Sequence, residues 1–214
     1  MSLKIKVCGM TDFNQVQMLD KMQIDFAGFI FYPASPRYAA EKFTAMEIEK
    51  ISRMRICTVG VFVNASMDHL LNTINSWKLD YVQLHGDESP DYCKQASTHC
   101  KVIKAFRVGS GDPLVDMTAG YGHVDSFLFD TKSDLHGGSG VKFDWQQLSV
   151  PLSHQYFLSG GIGVEDAEQV FEFSTHDEKM VAVDINSKFE TAPGMKDIDK
   201  LIQFKKSLNS YAHE

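Results

Sequence analysis

The stretch LKIKVCGMTDFNQVQMLDKM, residues 3–22, changes period in its middle. Leu3, Ile5 and Val7 alternate with Lys4, Lys6 and Cys8, the two-residue repeat of a strand, until Gly9 ends the run. From Phe13 onward the apolar residues Phe13, Val16 and Leu19 fall on one helical stripe, with Thr11 or Asp12 in place to cap it. A strand passing directly into a helix is the unit of a parallel sheet. This strand puts Lys4, Lys6 and Cys8 on one face, so a buried-looking run ends in a thiol with a lysine two residues behind it.

The same unit recurs along the chain. Apolar strand-like runs begin at Leu3, Phe26, Cys57, Asp80, Lys101, Ser126, Tyr156 and Met180, mostly 20 to 30 residues apart. Helix-period segments lie between several of them, as in SMDHLLNTINSW from Ser66, with Leu70, Leu71 and Ile74 aligned, and in GVEDAEQVFEF and KDIDKLIQFKKSL. The helices after the fifth and sixth runs are weakly written. Eight strand–helix units in 214 residues predict a compact α/β chain, a (β/α)8 barrel, as a single domain over residues 1–214. Periodicity alone leaves a doubly wound open sheet as the alternative.

Composition narrows the function. Hydrophobic residues make up 43% and charged residues 23%, enough apolar material for a sizeable core. A net charge of -7 disfavours a nucleic-acid surface but not a small anion, which local donors can hold against the overall field. Cys8, Cys57, Cys93 and Cys100 form no C-x-x-C pair and no zinc spacing, so no metal is expected. Lys4 and Lys6 interrupt any secretory signal, and no run is long enough to span a membrane. The expectation is a cytoplasmic protein with reduced thiols, without membrane or nucleic-acid partners, monomeric or homodimeric.

Polar groups gather where the runs end. A purely structural parallel strand is apolar throughout, yet these finish in Cys8, Asn64, His85, Asp130, Ser159 and Asp184. Singly, each has an ordinary explanation as a cap, a turn former or a core group. Jointly, a barrel would bring them into one mouth at the C-terminal strand ends. The loop SGGIG (159–163) joins the seventh run to a helix, where free N–H groups favour an anion. Asn186, Ser187 and Lys188 add donors after the eighth run, and loops seven and eight are the usual phosphate site of such barrels. HGGSG (136–140) could close over a ligand, and Arg37 in YPASPRY could offer a planar fork to a carboxylate. A metal-dependent epimerase would need two well-placed histidines that are missing. A non-catalytic phosphate binder would need the glycine loops but not Cys8 with Asp130.

KVCGMT, GFIFYPASPRY, VGVFVN, VQLHGDE, IKAFRV, GGSGVKFDW, SGGIGVEDAE and APGMKD follow one another in the order of the phosphoribosylanthranilate isomerases of tryptophan biosynthesis. The chain resembles that family from residue 4 to residue 208. The resemblance implies a (β/α)8 TIM barrel without cofactor that converts N-(5-phosphoribosyl)anthranilate to 1-(2-carboxyphenylamino)-1-deoxyribulose 5-phosphate by an Amadori rearrangement. It implies Cys8 as general base, Asp130 as general acid, Arg37 as holder of the anthranilate carboxylate, and Gly160 and Gly161 as backbone donors to phosphate. His85, Asp184, Asn186 and Ser187 join these as substrate-binding candidates. Lys188 stands where the family often has glycine.

The chemistry sets conditions on these groups. Asp130 must carry a proton near neutrality, against ~3.9 for a free side chain, and its neighbours Phe127 and Phe129 are expected to bury it. Cys8 must reach the thiolate, against ~8.5. Lys6 lies roughly 6.6 Å along the strand on the same face and favours the anion. In a closed barrel the first and eighth strands are neighbours, so Asp184 is expected to pair with Lys6. From chemistry alone His85 outranks Asp130 as the acid, since imidazole titrates nearer neutrality; the resemblance reverses that order.

Overall fold

A computed structural model describes residues 3–132 and 143–211, so the HGGSG loop lies outside the described residues. All eight apolar runs are strands: β1 (Lys4–Val7), β2 (Phe26–Ile30), β3 (Cys57–Phe62), β4 (Tyr81–Leu84), β5 (Lys101–Val108), β6 (Ser126–Thr131), β7 (Tyr156–Leu158) and β8 (Met180–Ile185). They close in sequential order into one parallel barrel. The pairing of β1 excludes the open sheet. Lys6 stands opposite Phe26 of β2 on one side and opposite Asp184 of β8 on the other.

The helices follow the apolar stripes: α1 (Phe13–Lys21), α2 (Ala45–Ile51), α3 (Met67–Trp77), α4 (Pro90–Ser97), α5 (Leu114–Thr118), α6 (Ala167–His176) and α7 (Ile198–Tyr211). Asp12 caps α1, its Oδ1 accepting from Gln15 N at 2.9 Å, while Thr11 instead donates Oγ1–H to the carbonyl of Gly194 at 2.8 Å. Ser66 caps α3. The two weakly written helices are weak in fact: α5 has five residues and no side-chain cap, and between β6 and β7 the described residues form only a 3-10 turn, Trp145–Leu148.

Two apolar layers follow from strand alternation. Phe26, Val59, Ile103, Leu128, Phe157 and Ala182 fill the barrel interior, where Phe26 meets Phe157 edge-on at 5.3 Å. Ile5, Val7, Phe29, Val82, Phe127 and Phe129 point the other way, into the shell packed by the helices. At the N-terminal end one device repeats. Asp25, Asp80 and Asp125, each one residue before an even-numbered strand, accept a backbone N–H of the preceding strand, from Ile5 at 2.9 Å, Thr58 at 2.7 Å and Val102 at 2.7 Å. The carboxylates satisfy donors that the ladder leaves open, and the opposite end is left for other work.

Past β8 the chain turns back in a short hairpin, β9 (Glu190–Ala192) and β10 (Met195–Lys196). Pro193 and Gly194 make its turn, with Gly194 at φ +84°. The hairpin docks on α1: Lys196 N donates to Gln15 Oε1 at 2.9 Å, and Gln15 Nε2 donates to the Lys196 carbonyl at 3.1 Å.

Candidate active site

The inward-facing polar residues at the C-terminal strand ends form a chain of contacts around the rim. Cys8, just past β1, is 5% exposed, and a Cβ added to Gly28 of β2 would lie 2.8 Å from its Sγ. Below it, the fully buried Lys6 donates to Asp184 Oδ1 at 2.7 Å, the expected pair, and Ser159 Oγ lies 3.2 Å from the other carboxylate oxygen. Gly160 follows Ser159 at φ +99°, a backbone state that side chains disfavour, and a Cβ there would strike Thr131 at the end of β6. Thr131 is next to Asp130, and Asp130 Oδ2 lies 3.3 Å from His85 Nε2. His85 Nδ1 is 2.7 Å from Gln83 Nε2. His85 therefore spans Gln83 and Asp130 through its two ring nitrogens.

Burial and charge compete at the thiol. Burial pushes the Cys8 thiol above its ordinary value, and Asp184 adds to this, while Lys6 and Lys196 pull it down without winning. The thiolate expected from Lys6 is therefore not the resting state. Burial also works against the Lys6 ammonium, but Asp184 and Cys8 hold its value above the ordinary one. The carboxylate of Asp184, paired with Lys6, offsets the help that Lys6 gives the thiol.

Asp130 departs from expectation. Phe127 and Phe129 belong to the outer shell, because they alternate with the inward Leu128 and Asp130. The Asp130 side chain is 30% exposed, so its environment is the imidazole of His85 and the open mouth, not an apolar wall.

Arg37 lies against the same rim. A Cβ on Gly9, at φ +79°, would sit 2.6 Å from Arg37 Cδ and 2.9 Å from Asn186 Oδ1, so glycine there lets Arg37 and Asn186 close in beside Cys8. The guanidinium is engaged by Glu190, Nε at 2.9 Å from Oε1 and Nη2 at 2.6 Å from Oε2. Lys196 Nζ reaches the same carboxylate at 2.7 Å and Asn186 Oδ1 at 2.8 Å. Burial raises the Glu190 carboxyl, but hydrogen bonds from Arg37 and Lys196 outweigh it and leave it below the usual range. Burial is the larger influence on Lys196 and lowers it, against Glu190 and Cys8. Glu190 and Lys196 were not singled out from the sequence. The Pro193–Gly194 dipeptide between short alternating runs was the signal for the hairpin that carries them.

Among the described residues, the N–H groups of Gly160, Gly161 and Ile162 meet no acceptor, whereas Gly163 N is taken by Asp166 Oδ2 at 2.7 Å. Ser187 is exposed in the 3-10 turn that follows β8. Lys188 is exposed too, and Asn64, at φ +51°, spends its Oδ1 on Asp87 N at 2.7 Å, holding a turn instead of serving the mouth. Among the described residues no three His, Cys, Asp or Glu side chains group as metal ligands, and no helix is long and apolar enough to cross a membrane.

Comparison with known proteins agrees with this geometry. The family model of N-(5'-phosphoribosyl)anthranilate isomerase matches residues 5–207. An isomerase of that name from Parabacteroides distasonis is 39% identical over 202 residues, 94% of this chain and 90% of its own. The crystal structure of phosphoribosyl anthranilate isomerase from Thermotoga maritima superposes with a TM-score of 0.83 at 31% identity, covering 97% of this chain and 99% of that one. Another isomerase structure, in complex with reduced 1-(o-carboxyphenylamino)-1-deoxyribulose 5-phosphate, superposes at 0.79 with 28% identity and covers 97% and 99%. With a closed eight-stranded barrel and a family match over nearly its whole length, the chain belongs to the N-(5'-phosphoribosyl)anthranilate isomerase family.

Proposed function

We propose that the chain isomerises N-(5'-phosphoribosyl)anthranilate to 1-(2-carboxyphenylamino)-1-deoxyribulose 5-phosphate, a step of tryptophan biosynthesis, with Cys8 and Asp130 as base and acid. The observation that carries this reading is the family match over residues 5–207 together with a thiol at the end of β1 and a carboxyl at the end of β6 on one rim. We take residues 1–214 as one catalytic domain, in the cytoplasm, where the four free thiols stay reduced.

Asp130 donates a proton to the ring oxygen while the aniline nitrogen lone pair forms C1=N and the C1–O bond breaks. The iminium makes the C2 proton acidic; Cys8 thiolate takes it, and the electrons form C1=C2 as the C1=N pair returns to nitrogen. Loss of the O2 proton and protonation at C1 give the ketone, so C1 is reduced and C2 oxidised within one molecule. One acid and one base suffice. The free donors of Gly160 and Gly161 fit the phosphate at the other end of the substrate.

The test is turnover of freshly generated phosphoribosylanthranilate, followed by fluorescence. Cys8→Ser and Asp130→Asn are each expected to lower kcat by about 10²–10⁴-fold with substrate still bound. Near-normal turnover of Cys8→Ser would refute the base, and full rate in Asp130→Asn would return the acid to His85.

A further inference from the structure

Arg37 paired one to one with Glu190 would present a neutral ion pair to an incoming carboxylate. Three observations show that this is not its state. Glu190 occupies only the Nε–Nη2 edge of the guanidinium, at 2.9 Å and 2.6 Å, and among the described residues Nη1 meets no acceptor. The Glu190 carboxylate is shared with Lys196 Nζ at 2.7 Å, whose other partner, Asn186 Oδ1, is uncharged. Two cations therefore share one anion, and the group retains a net positive charge. Its exposure is graded: Lys196 is 0% exposed, Glu190 4% and Arg37 19%, so the surplus charge reaches solvent through Arg37.

We infer that Lys196 is a positioning residue for substrate recognition: by sharing the carboxylate of Glu190 it leaves Arg37 free to bind the carboxylate on the aryl ring of the substrate. The inference rests on the reading of Arg37 as the carboxylate anchor. Lys196 never touches the substrate in this account. It acts through Glu190, and the hairpin holds it there in advance, since Gly194 N also donates to Glu190 Oε1 at 3.1 Å and Gln15 pairs with the Lys196 backbone. Binding a carboxylate to a preset net charge avoids displacing an existing partner, which is what would make the site selective for an ortho-carboxylated aryl amine.

The experiment measures, by calorimetry on the full chain, the Kd of two probes: reduced 1-(o-carboxyphenylamino)-1-deoxyribulose 5-phosphate and its phenyl counterpart without the carboxylate. Lys196→Met is expected to weaken the carboxylated probe roughly tenfold and to leave the phenyl probe within about twofold. Lys196→Gln keeps a donor for Glu190 and Asn186 but no charge; it guards against a folding defect in the methionine variant and is expected to show the same split. Parent-like preference for the carboxylated probe in Lys196→Gln, or equal weakening of both probes, overturns the inference. Arg37→Met run alongside separates the two claims. If it loses the preference while Lys196→Gln keeps it, the anchor stands and the role of Lys196 falls; if Arg37→Met keeps the preference, both fall.

Discussion

At the scale of single residues the site turns on how Cys8 gives up its proton. Burial outweighs both nearby cations, so the thiol sits above its ordinary value and the thiolate grows as pH rises. The base-dependent limb of kcat/KM is therefore expected to climb with pH on the alkaline side. Replacing Lys6 by Met removes an influence that lowers the thiol and leaves Asp184, which raises it, without its partner. Both changes push the limb to higher pH, and the variant should also lose stability, because Asp184 is then a buried charge alone. A pH profile of Lys6→Met with the limb unmoved would show that its charge does not act on the thiol. Asp130 and His85 teach a different lesson. The aromatic neighbours of Asp130 in sequence are its opposites in space, because alternate residues of a strand face opposite sides.

At the scale of elements, each end of the barrel has its own logic. The aspartates before β2, β4 and β6 are legible as the D in IDFAGF, LDYVQL and VDSFLF, but their common task of accepting an N–H from the strand before them shows only once the strands are paired. Asp80 accepts both Thr58 N at 2.7 Å and Thr58 Oγ1 at 2.9 Å, and Thr58 is buried. Asp80→Ala should cost about 1–3 kcal/mol in chemical denaturation while leaving kcat unchanged in the folded enzyme. A loss of kcat without loss of stability would contradict a purely structural role. At the other end the βα loops carry polar groups, and the hairpin after β8 adds Glu190 and Lys196 from beyond the last strand. A device of this kind is hard to read in one dimension, because Lys196 lies more than 150 residues from Arg37 and meets it only through Glu190.

At the scale of the whole molecule, closure of the sheet makes the site possible. The interior layer at Phe26 and Phe157 plugs the barrel below the polar rim, so the mouth is a basin and not a pore. Phe157 is 2% exposed, and Phe157→Ala should lower the thermal midpoint by on the order of 10 °C through a cavity the barrel cannot collapse. An unchanged midpoint would mean that the layer is not what holds the strands. The sequence by itself determined the eight strands, a cap for α1 at Thr11 or Asp12, the two poor helices and the polar strand ends other than Asn64, since all of these depend on neighbours within a few positions. It could not separate a barrel from an open sheet, because that choice lies in the register of β1 against β8, a contact between the two ends of the chain. For the same reason only the tertiary structure decided the burial of Cys8, the exposure of Asp130 and the sharing of Glu190 between Arg37 and Lys196. Desolvation and charge pairing depend on which distant groups arrive within a few ångströms, and spacing along a chain does not encode that.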